Sequence, residues 1–263
     1  MENLLTLVIN LDGSDARLAD ADAQLRQVGL DYERFSAFDA RGTDPKSYPE
    51  YNHRDAVLYY GRGLNGGEIG CYFSHLKALK YFLESDAKFA LIVEDDVEFD
   101  PDFRALFRGV MDVLDGPDAP EWDALNFGTP WREHMLTSIH EITLPGQSVT
   151  LCYAHLFPLN THCILWSREG AAAFLDSFDS MWNPVDHAMR YRIVRRGRGL
   201  CMSEAIAHQS DAPSDIDRVE GASAVRNENE GRWYWFHVSR IKTLEKIYAK
   251  RHRARIRKML GIS

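Results

Sequence analysis

Three consecutive acidic residues follow an apolar run in the segment LIVEDDVEFD, residues 91–100. The run has the length and β-branched composition of a buried strand, and Glu94, Asp95 and Asp96 follow where it ends. Ligands of open α/β sheets bind outside the carboxyl ends of the strands. Carboxylate oxygens suit Mg²⁺ or Mn²⁺, and such an ion can hold a diphosphate. The triplet therefore predicts a divalent-cation site, with a solvated turn as the alternative interpretation.

A second group of polar residues lies in the segment GGEIGCYFSH, residues 66–75, on the helix predicted before the acidic strand. From that helix, Glu68, Ser74 and His75 are placed to reach the same pocket. In the alternative interpretation the glycines permit a tight helix entry, and His75 is a structural residue, as a lone histidine more often is.

Asp186 and His208 are two further candidates for chemistry. Asp186 falls in the first turn of a helix predicted to start at Asn183-Pro184, where the helix dipole favours an ionised carboxylate. Such a carboxylate can take a proton from an alcohol, although helix-start acids are also common without function. His208 follows the last predicted strand and can complete a metal shell, or it is a loop residue.

Strands alternate with helices along the chain, which predicts an α/β fold. The predicted strands are 4–11, 91–94, 122–127, 151–157, 162–166 and 199–203, with 151–157 paired to 162–166. The predicted helices start after Ser14, at Asn65 with the capping-box residue Glu68, at Pro101, at Ser167 and at Asn183. The chain has neither a G-x-G-x-x-G fingerprint nor a P-loop, which removes the main support for a dinucleotide-binding protein or an ATPase.

The charge distribution separates the C-terminal segment from the rest of the chain. The 263 residues carry a net charge of −8, which argues against a nucleic-acid binder. From residue 240 onwards, however, nine Lys/Arg accompany a single acid, Glu245. We predict a domain over residues 1–217 and an extension over 218–263, with a basic amphipathic helix from about 240. That helix is predicted to dock on an anionic membrane surface, or alternatively to pack on the domain.

Cysteine spacing and apolar runs indicate the compartment. None of the four cysteines forms a C-x-x-C pair or a zinc-site spacing, which predicts reduced and mostly buried thiols. The N-terminus has no signal-peptide pattern, and no apolar stretch approaches the length of a membrane span. We predict a cytoplasmic protein, peripheral on the inner face of the cytoplasmic membrane where it docks.

An ordered set of segments resembles glycosyltransferase family 25, which includes bacterial lipooligosaccharide galactosyltransferases and, more distantly, the collagen galactosyltransferases. The segments are VINLDGSDAR, FSAFDA, GGEIGCYFSHLKALK, LIVEDDVEF, PVDHAM and SDID, between residues 4 and 217. The GEIGC…SH segment followed by EDD is the specific part of this resemblance. The chain departs from the family where a basic pair commonly follows Asn-Leu, because Asp12-Gly13 stand there and Arg17 is the basic residue supplied.

The resemblance implies a GT-A fold, a UDP-sugar donor, a divalent cation such as Mn²⁺ or Mg²⁺, and inversion at the anomeric carbon. It implies that Asp96 binds the metal directly, that Glu94 faces the ribose or uracil, and that Asp95 supports them. Asp186 becomes the candidate base and His208 an additional metal ligand. The expected lining of the nucleotide pocket is completed by Asn10, Arg17, Ser74 and His75.

The function predicted from the sequence is the transfer of a hexose, with galactose favoured, from UDP to a saccharide hydroxyl. The expected acceptor is lipopolysaccharide or another surface glycan, and a lipid-linked acceptor fits the basic C-terminal segment. Two alternatives stay open at this point. One is a glycoside hydrolase with paired carboxylates, which works without a metal ion. The other is a non-catalytic sugar-binding or membrane-binding protein with an inert GT-A fold.

Overall fold

A computed structural model describes residues 3–130, 133–210 and 232–262. The strands are β1 (Leu4–Asn10), β2 (Glu33–Ser36), β3 (Phe89–Glu94), β4 (Val97–Phe99), β5 (Ala124–Asn126), β6 (Leu136–Leu144), β7 (Gln147–Ala154), β8 (Cys163–Ser167), β9 (Gly199–Met202) and β10 (Ala207–Gln209). The long helices are α1 (Asp15–Val28), α2 (Gly66–Glu84), α3 (Phe103–Leu114), α4 (Arg168–Asp176), α5 (Val185–Arg196) and α6 (Arg232–Met259). A π-helical turn, Ala56–Tyr60, precedes α2.

Eight strands form one mixed sheet in the order β2-β1-β3-β8-β5-β9-β7-β6. The pairings β1–β2, β1–β3 and β5–β9 are parallel, and the other pairings are antiparallel. Six strands consequently run in one direction, against β8 and β7. The predicted α/β class, a mixed sheet flanked by helices, is confirmed. Strands β4 and β10 form a separate two-stranded ribbon.

The two faces of the sheet are both covered, because apolar residues of each central strand alternate between two cores. In β1, Val8 lies in one core, while Leu7 and Ile9 lie in the other. Helices α1 and α3 pack on the first core, and α2, α4 and α5 pack on the second. A strand buried on both faces reads as a continuous apolar run, which is why β1 and β3 were recognisable from sequence.

The predicted pairing of 151–157 with 162–166 is wrong. Strand β7 pairs with β6 and β9, whereas β8 lies between β3 and β5. The apolar pattern of a strand buried on both faces does not encode its neighbour, so proximity in sequence was a poor guide. A hairpin joins β6 to β7 instead, with Gly146 in the left-handed region at φ 89°.

Helix α6 begins at Arg232, earlier than the predicted start near residue 240. It packs on α5 and on the π-helical turn, and Ala249 and Ile256 on its inner side are buried. The boundary at 217/218 falls in 211–231, outside the described residues, and stays a prediction. In the described ranges, no helix has the length and apolar content needed to cross a membrane. All four cysteines are described and are free thiols, three of them buried.

Candidate functional site

The carboxyl ends of the adjacent parallel strands β1 and β3 bring Asn10 together with the acidic triplet. Asn10 is buried, and its amide nitrogen donates to Asp95 at 2.7 Å and to the Ser14 carbonyl at 3.1 Å. Its amide oxygen accepts from Arg34 Nε at 2.9 Å. Because both ends of the amide are engaged within the protein, Asn10 positions Asp95 and does not line the adjoining cavity.

Arg17, Asp95 and Asp96 form an ion-pair cluster at the same edge of the sheet. The Arg17 guanidinium contacts Asp95 Oδ1 and lies 3.1 Å from Asp96 Oδ2. Gln209 Nε2 donates to Asp96 Oδ2 at 3.0 Å. Burial raises the pKa of both aspartates, and the nearby charge of Glu94 raises that of Asp96 further. The cluster therefore carries more buried negative charge than Arg17 offsets.

The second carboxylate oxygen of Asp96 indicates how the site accommodates a cation. Asp96 Oδ1 is buried and accepts no hydrogen bond from the described part of the chain. A buried carboxylate oxygen without a hydrogen bond is costly, and a cation offsets that cost. Together with Asp95, it offers the hard oxygen ligands that Mg²⁺ and Mn²⁺ prefer. The residues present therefore fit a divalent cation held chiefly by Asp96.

Glu94 occupies a different environment from the two aspartates. Its Oε1 lies 3.0 Å from His75 Nε2 and accepts from the Thr161 hydroxyl. Burial acts to raise the pKa of Glu94, but His75 and Thr161 outweigh it and lower that pKa to about 2. Glu94 is therefore an ionised carboxylate at neutral pH. Since His75 is fully buried, its contact is with Glu94 and not with the cavity.

Helix α2 supplies one wall of the adjoining cavity through its glycines and Ser74. A Cβ on Gly66 would lie 2.3 Å from the Ala40 carbonyl oxygen, and one on Gly70 would lie 2.6 Å from that of Phe38. Glycine is thus required for the loop at 37–41 to approach the helix this closely. Ser74 Oγ accepts from Phe38 N at 2.8 Å and donates to Gly70 O at 2.7 Å. Ser74 consequently fixes the wall of the cavity.

The donor-side cavity lies between this wall and the acidic cluster. The residues lining it are Ile9, Leu11, Arg17, Ala37, Phe38, Asp39, Ala40, Arg41, Gly66, Gly67, Gly70, Cys71, Ser74, Glu94, Asp95, Asp96 and Gln209. The amino-terminal end of the 19-residue helix α2 opens onto it at Gly66 and Gly67. Backbone N–H groups and the helix dipole at such an end favour an anionic ligand.

Asp186 lies in a second cavity, here called the base-side cavity. This cavity is lined by Tyr60, Glu68, Cys71, Glu94, Asn160, Thr161, His162, Pro184, Val185, Asp186, His187 and Gln209. It shares Cys71, Glu94 and Gln209 with the donor-side cavity, so the two meet at those residues. As predicted, Asp186 is in the first turn of its helix, where Oδ1 accepts from the His187 backbone N–H at 2.7 Å.

Glu68 also borders the base-side cavity, but its carboxylate is occupied. It accepts a two-point contact from Arg62, at 2.6 and 2.8 Å, and one from the Asn65 backbone N–H at 3.0 Å. The predicted capping box of Asn65 and Glu68 is present. The ion pair raises the pKa of Arg62 further above its usual range. Glu68 therefore holds the start of α2 in place.

His208 is directed away from the acidic cluster. Its Nε2 lies 3.0 Å from Asp100 Oδ1, and its side chain is about half exposed. Successive residues of a strand point to opposite faces, and on β10 it is the next residue, Gln209, that reaches Asp96. His208 lines neither the donor-side cavity nor the base-side cavity.

Three contact residues escaped the sequence interpretation: Gln209, Arg34 and Thr161. Gln209 reaches Asp96, Arg34 orients Asn10, and Thr161 binds Glu94. Gln209 is adjacent to His208 on β10, and a one-residue change of register exchanges the two faces of a strand. No local pattern marks Arg34 or Thr161, because their contacts bridge 24 and 67 residues of sequence.

Comparison with known proteins assigns this arrangement to a family. The model described as "Glycosyltransferase family 25 (LPS biosynthesis protein)" matches residues 3–189. A "Glycosyltransferase 25 family member" of Drosophila pseudoobscura pseudoobscura is 30% identical over 125 residues, covering 46% of this chain and 20% of that protein. The chain thus spans about a fifth of the length of that relative.

Two human relatives have more specific names. "Procollagen galactosyltransferase 2" is 33% identical over 88 residues, covering 34% of this chain and 13% of that protein. "Inactive glycosyltransferase 25 family member 3" is 30% identical over 101 residues, covering 36% of this chain and 17% of that protein. Among solved structures, a glycosyltransferase involved in glycosylation of the major capsid of PBCV-1 is 12% identical with a TM-score of 0.41, covering 84% of this chain and 99% of that one.

Proposed function

This chain belongs to glycosyltransferase family 25, and we propose that it transfers a hexose from a UDP-sugar to a saccharide hydroxyl. One observation carries the proposal. The donor-side cavity contains the acidic cluster, the base-side cavity contains Asp186, and the two cavities meet at Glu94 and Gln209. An inverting transferase needs this separation, because the leaving diphosphate and the attacking hydroxyl lie on opposite sides of the anomeric carbon.

The diphosphate of the donor is assigned to the donor-side cavity. Its charge increases as the bond to the sugar breaks, so catalysis requires positive charge at that point. Arg17 and the amino-terminal end of α2 provide part of it. Asp96, supported by Asp95, would hold a Mn²⁺ or Mg²⁺ ion, which supplies Lewis-acid stabilisation of the diphosphate oxygens. Ionised Glu94 is placed to accept hydrogen bonds from the hydroxyls of the ribose or the sugar.

Asp186 is the proposed general base. The acceptor oxygen forms a bond to the anomeric carbon as the bond from that carbon to UDP breaks. The acceptor proton passes to the Asp186 carboxylate, and UDP leaves with the bonding electrons. Attack from the side opposite the leaving group inverts the anomeric centre. The hydrogen bond from the His187 backbone N–H holds the Asp186 carboxylate at the start of α5, where it can accept this proton.

Galactose is the proposed donor sugar, supported by the name of the human relative, a procollagen galactosyltransferase. For the acceptor we favour a lipid-linked glycan, such as one in lipopolysaccharide biosynthesis. Support comes from the description of the family model and from the basic face of α6, where Lys250, Arg251 and Arg255 are exposed. Docking of that face on the anionic inner surface of the cytoplasmic membrane would bring the enzyme to such an acceptor.

A second candidate function is binding of a nucleotide sugar without turnover. The observation that favours it is the contact of Arg17 with both Asp95 and Asp96, where a guanidinium offsets charge that a metal ion would otherwise neutralise. One human relative is also named as inactive. In this candidate Arg17 replaces the metal ion, and addition of Mn²⁺ has no effect on UDP affinity.

A donor panel distinguishes the two candidates. The purified protein is incubated with UDP-galactose, UDP-glucose, UDP-N-acetylglucosamine and UDP-glucuronate, each with Mn²⁺ or with excess EDTA, and release of UDP is measured. The proposed function predicts release from UDP-galactose that requires the divalent ion. Binding of UDP without release from any donor supports the second candidate, and full release in EDTA contradicts the metal assignment.

A further inference from the structure

A third cavity lies beside the base-side cavity and shares Tyr60 and His187 with it. We call it the aromatic groove. It has a volume of about 460 Å³. Four aromatic residues line it, together with residues of α5 and α6: Tyr59, Tyr60, Trp182 and Tyr191. From this groove we infer that a saccharide acceptor carrying negative charge binds between α5 and α6, with its reactive end towards Asp186. The inference rests on the proposed function and adds the acceptor site.

The aromatic residues of the groove form a connected row. The ring centroids of Tyr59 and Trp182 lie 5.7 Å apart at 65°, and those of Trp182 and Tyr191 lie 5.5 Å apart at 87°. The ring centroids of Tyr60 and His187 lie 5.3 Å apart, at the junction with the base-side cavity. The three rings of the row are half-buried, so they keep open area towards the groove. Apolar ring faces with a few convergent polar groups are what a carbohydrate requires, since it presents C–H faces and hydroxyl edges.

Polar groups for the sugar hydroxyls lie beside this row. Asn183 is buried, lines the groove, and makes no side-chain hydrogen bond within the described residues. Its amide is therefore available to hydrogen-bond the hydroxyls of a sugar in the groove. The half-buried His187 ring lies at the junction with the base-side cavity. These two residues flank Asp186 in sequence, which connects the groove to the proposed base.

The charge of the groove selects among saccharides. Arg190, Lys242 and Lys246 line it against a single acid, Glu245. Lys242 and Lys246 are exposed on α6 and line the groove, where they can meet a phosphate or carboxylate on the acceptor. This wall lies beyond residue 189, the last residue that the family model matches. The preference for a charged acceptor is therefore assigned to residues outside the matched region, whereas the aromatic residues Tyr59 and Trp182 lie within it.

The test measures sugar binding and donor turnover separately, on the full chain with Mn²⁺. Glucose, galactose, mannose and N-acetylglucosamine, and the 6-phosphate of each, are titrated by saturation-transfer-difference NMR. At least one sugar and its 6-phosphate are expected to bind. At low salt the dissociation constant of the phosphate is expected to be at least fivefold lower than that of the sugar. Trp182→Ala and Tyr191→Ala are expected to weaken binding about tenfold or more, while UDP release from the donor without acceptor is unchanged. Tyr81→Ala, an exposed tyrosine on α2, is the matched control.

The lysines are tested by Lys242→Ala/Lys246→Ala, with Lys250→Ala as a control on the same helix. The double variant is expected to bind phosphorylated and neutral sugars equally, and the control to keep the preference. If no sugar binds, or if both aromatic variants bind as the unchanged protein does, the acceptor site is contradicted. Absence of donor turnover in the unchanged protein instead contradicts the proposed function and leaves the binding result as a separate finding. Donor turnover and UDP binding also report whether each variant is folded.

Discussion

The side-chain amide of Asn10 donates a 2.7 Å hydrogen bond to Asp95, joining the end of β1 to the turn after β3. Both residues are buried, and 85 residues of sequence separate them. The pair ties the acidic cluster to the first strand, while Arg34 fixes the other end of the amide. The geometry of Asp95 therefore depends on a residue that does not itself touch the cavity.

Asn10→Ala is predicted to weaken donor binding and to destabilise the fold. Loss of the amide leaves a buried carboxylate oxygen of Asp95 unsatisfied, which costs about 1–3 kcal/mol. We expect the KM for the UDP-sugar, measured by UDP release, to rise about tenfold. The free energy of unfolding in urea is expected to fall by about 1–3 kcal/mol. Gln147→Ala removes an exposed amide–carboxylate bond to Asp102 and is the control. Equal effects of the two substitutions would contradict a positioning role for Asn10.

Ser74→Ala is predicted to affect donor affinity more than turnover. The hydroxyl links the Phe38 backbone to Gly70, so its loss releases the loop at 37–41 that lines the donor-side cavity. We expect KM for the donor to rise several-fold with little change in kcat. Ser85→Ala, at the opposite end of the same helix, removes a bond to Phe82 O and serves as the control. A fall in kcat with unchanged KM would instead place Ser74 in the chemical step.

The sequence indicated the strand-end acids, the first turn of α5 and the helix caps because these are local patterns. The Asn65–Glu68 capping box occurs as predicted. Side-chain direction on β10 and the neighbour of β7 depend on register and on contacts distant in sequence, which local patterns do not encode. For this reason local patterns favour His208 where Gln209 makes the contact with Asp96, and they do not identify β6 and β9 as the neighbours of β7.

His155 is predicted to make the fold sensitive to acid. It is buried against Thr137, and burial lowers the pKa of His155 from 6.5 to about 4. The unfolded chain therefore binds a proton at His155 below about pH 6.5, whereas the folded chain binds it only below about pH 4. The contribution of neutral His155 to the free energy of unfolding is fully present above about pH 6.5. It decreases as the pH falls through this window, by at most roughly 1.4 kcal/mol per pH unit.

His155→Gln tests this origin of acid sensitivity. Urea unfolding at pH 7.5, 5.5 and 4.5 should show a smaller loss of stability towards low pH in the variant than in the unchanged protein. His140 is an exposed histidine on β6, and His140→Gln is the control that should keep the full pH dependence. Identical pH profiles for His155→Gln and the unchanged protein would show that the loss arises elsewhere.

The exposed basic face of α6 is predicted to bind anionic membranes. Each basic residue near such a surface contributes about 1 kcal/mol before screening. We expect the protein to sediment with phosphatidylglycerol-containing liposomes at low salt, and the triple variant Lys250→Gln/Arg251→Gln/Arg255→Gln to lose most of this binding. Truncation is unsuitable, since Ile256 is part of the core. Lys46→Gln/Lys80→Gln/Arg108→Gln removes the same charge elsewhere and should bind normally. Absence of binding by the unchanged protein at low salt would contradict the prediction.

The proposed function places Asp96 and Asp186 on either side of the reacting carbon. Measuring UDP binding and turnover separately in a variant of each residue tests this assignment most directly. UDP affinity is measured by calorimetry with Mn²⁺, and kcat by release of UDP from UDP-galactose. Asp96→Asn is predicted to lose most of the Mn²⁺-dependent affinity together with turnover. Asp186→Asn should keep UDP affinity while kcat falls about 10²–10⁴-fold. Normal kcat in Asp186→Asn, or Mn²⁺-dependent UDP binding in Asp96→Asn equal to that of the unchanged protein, would contradict the account.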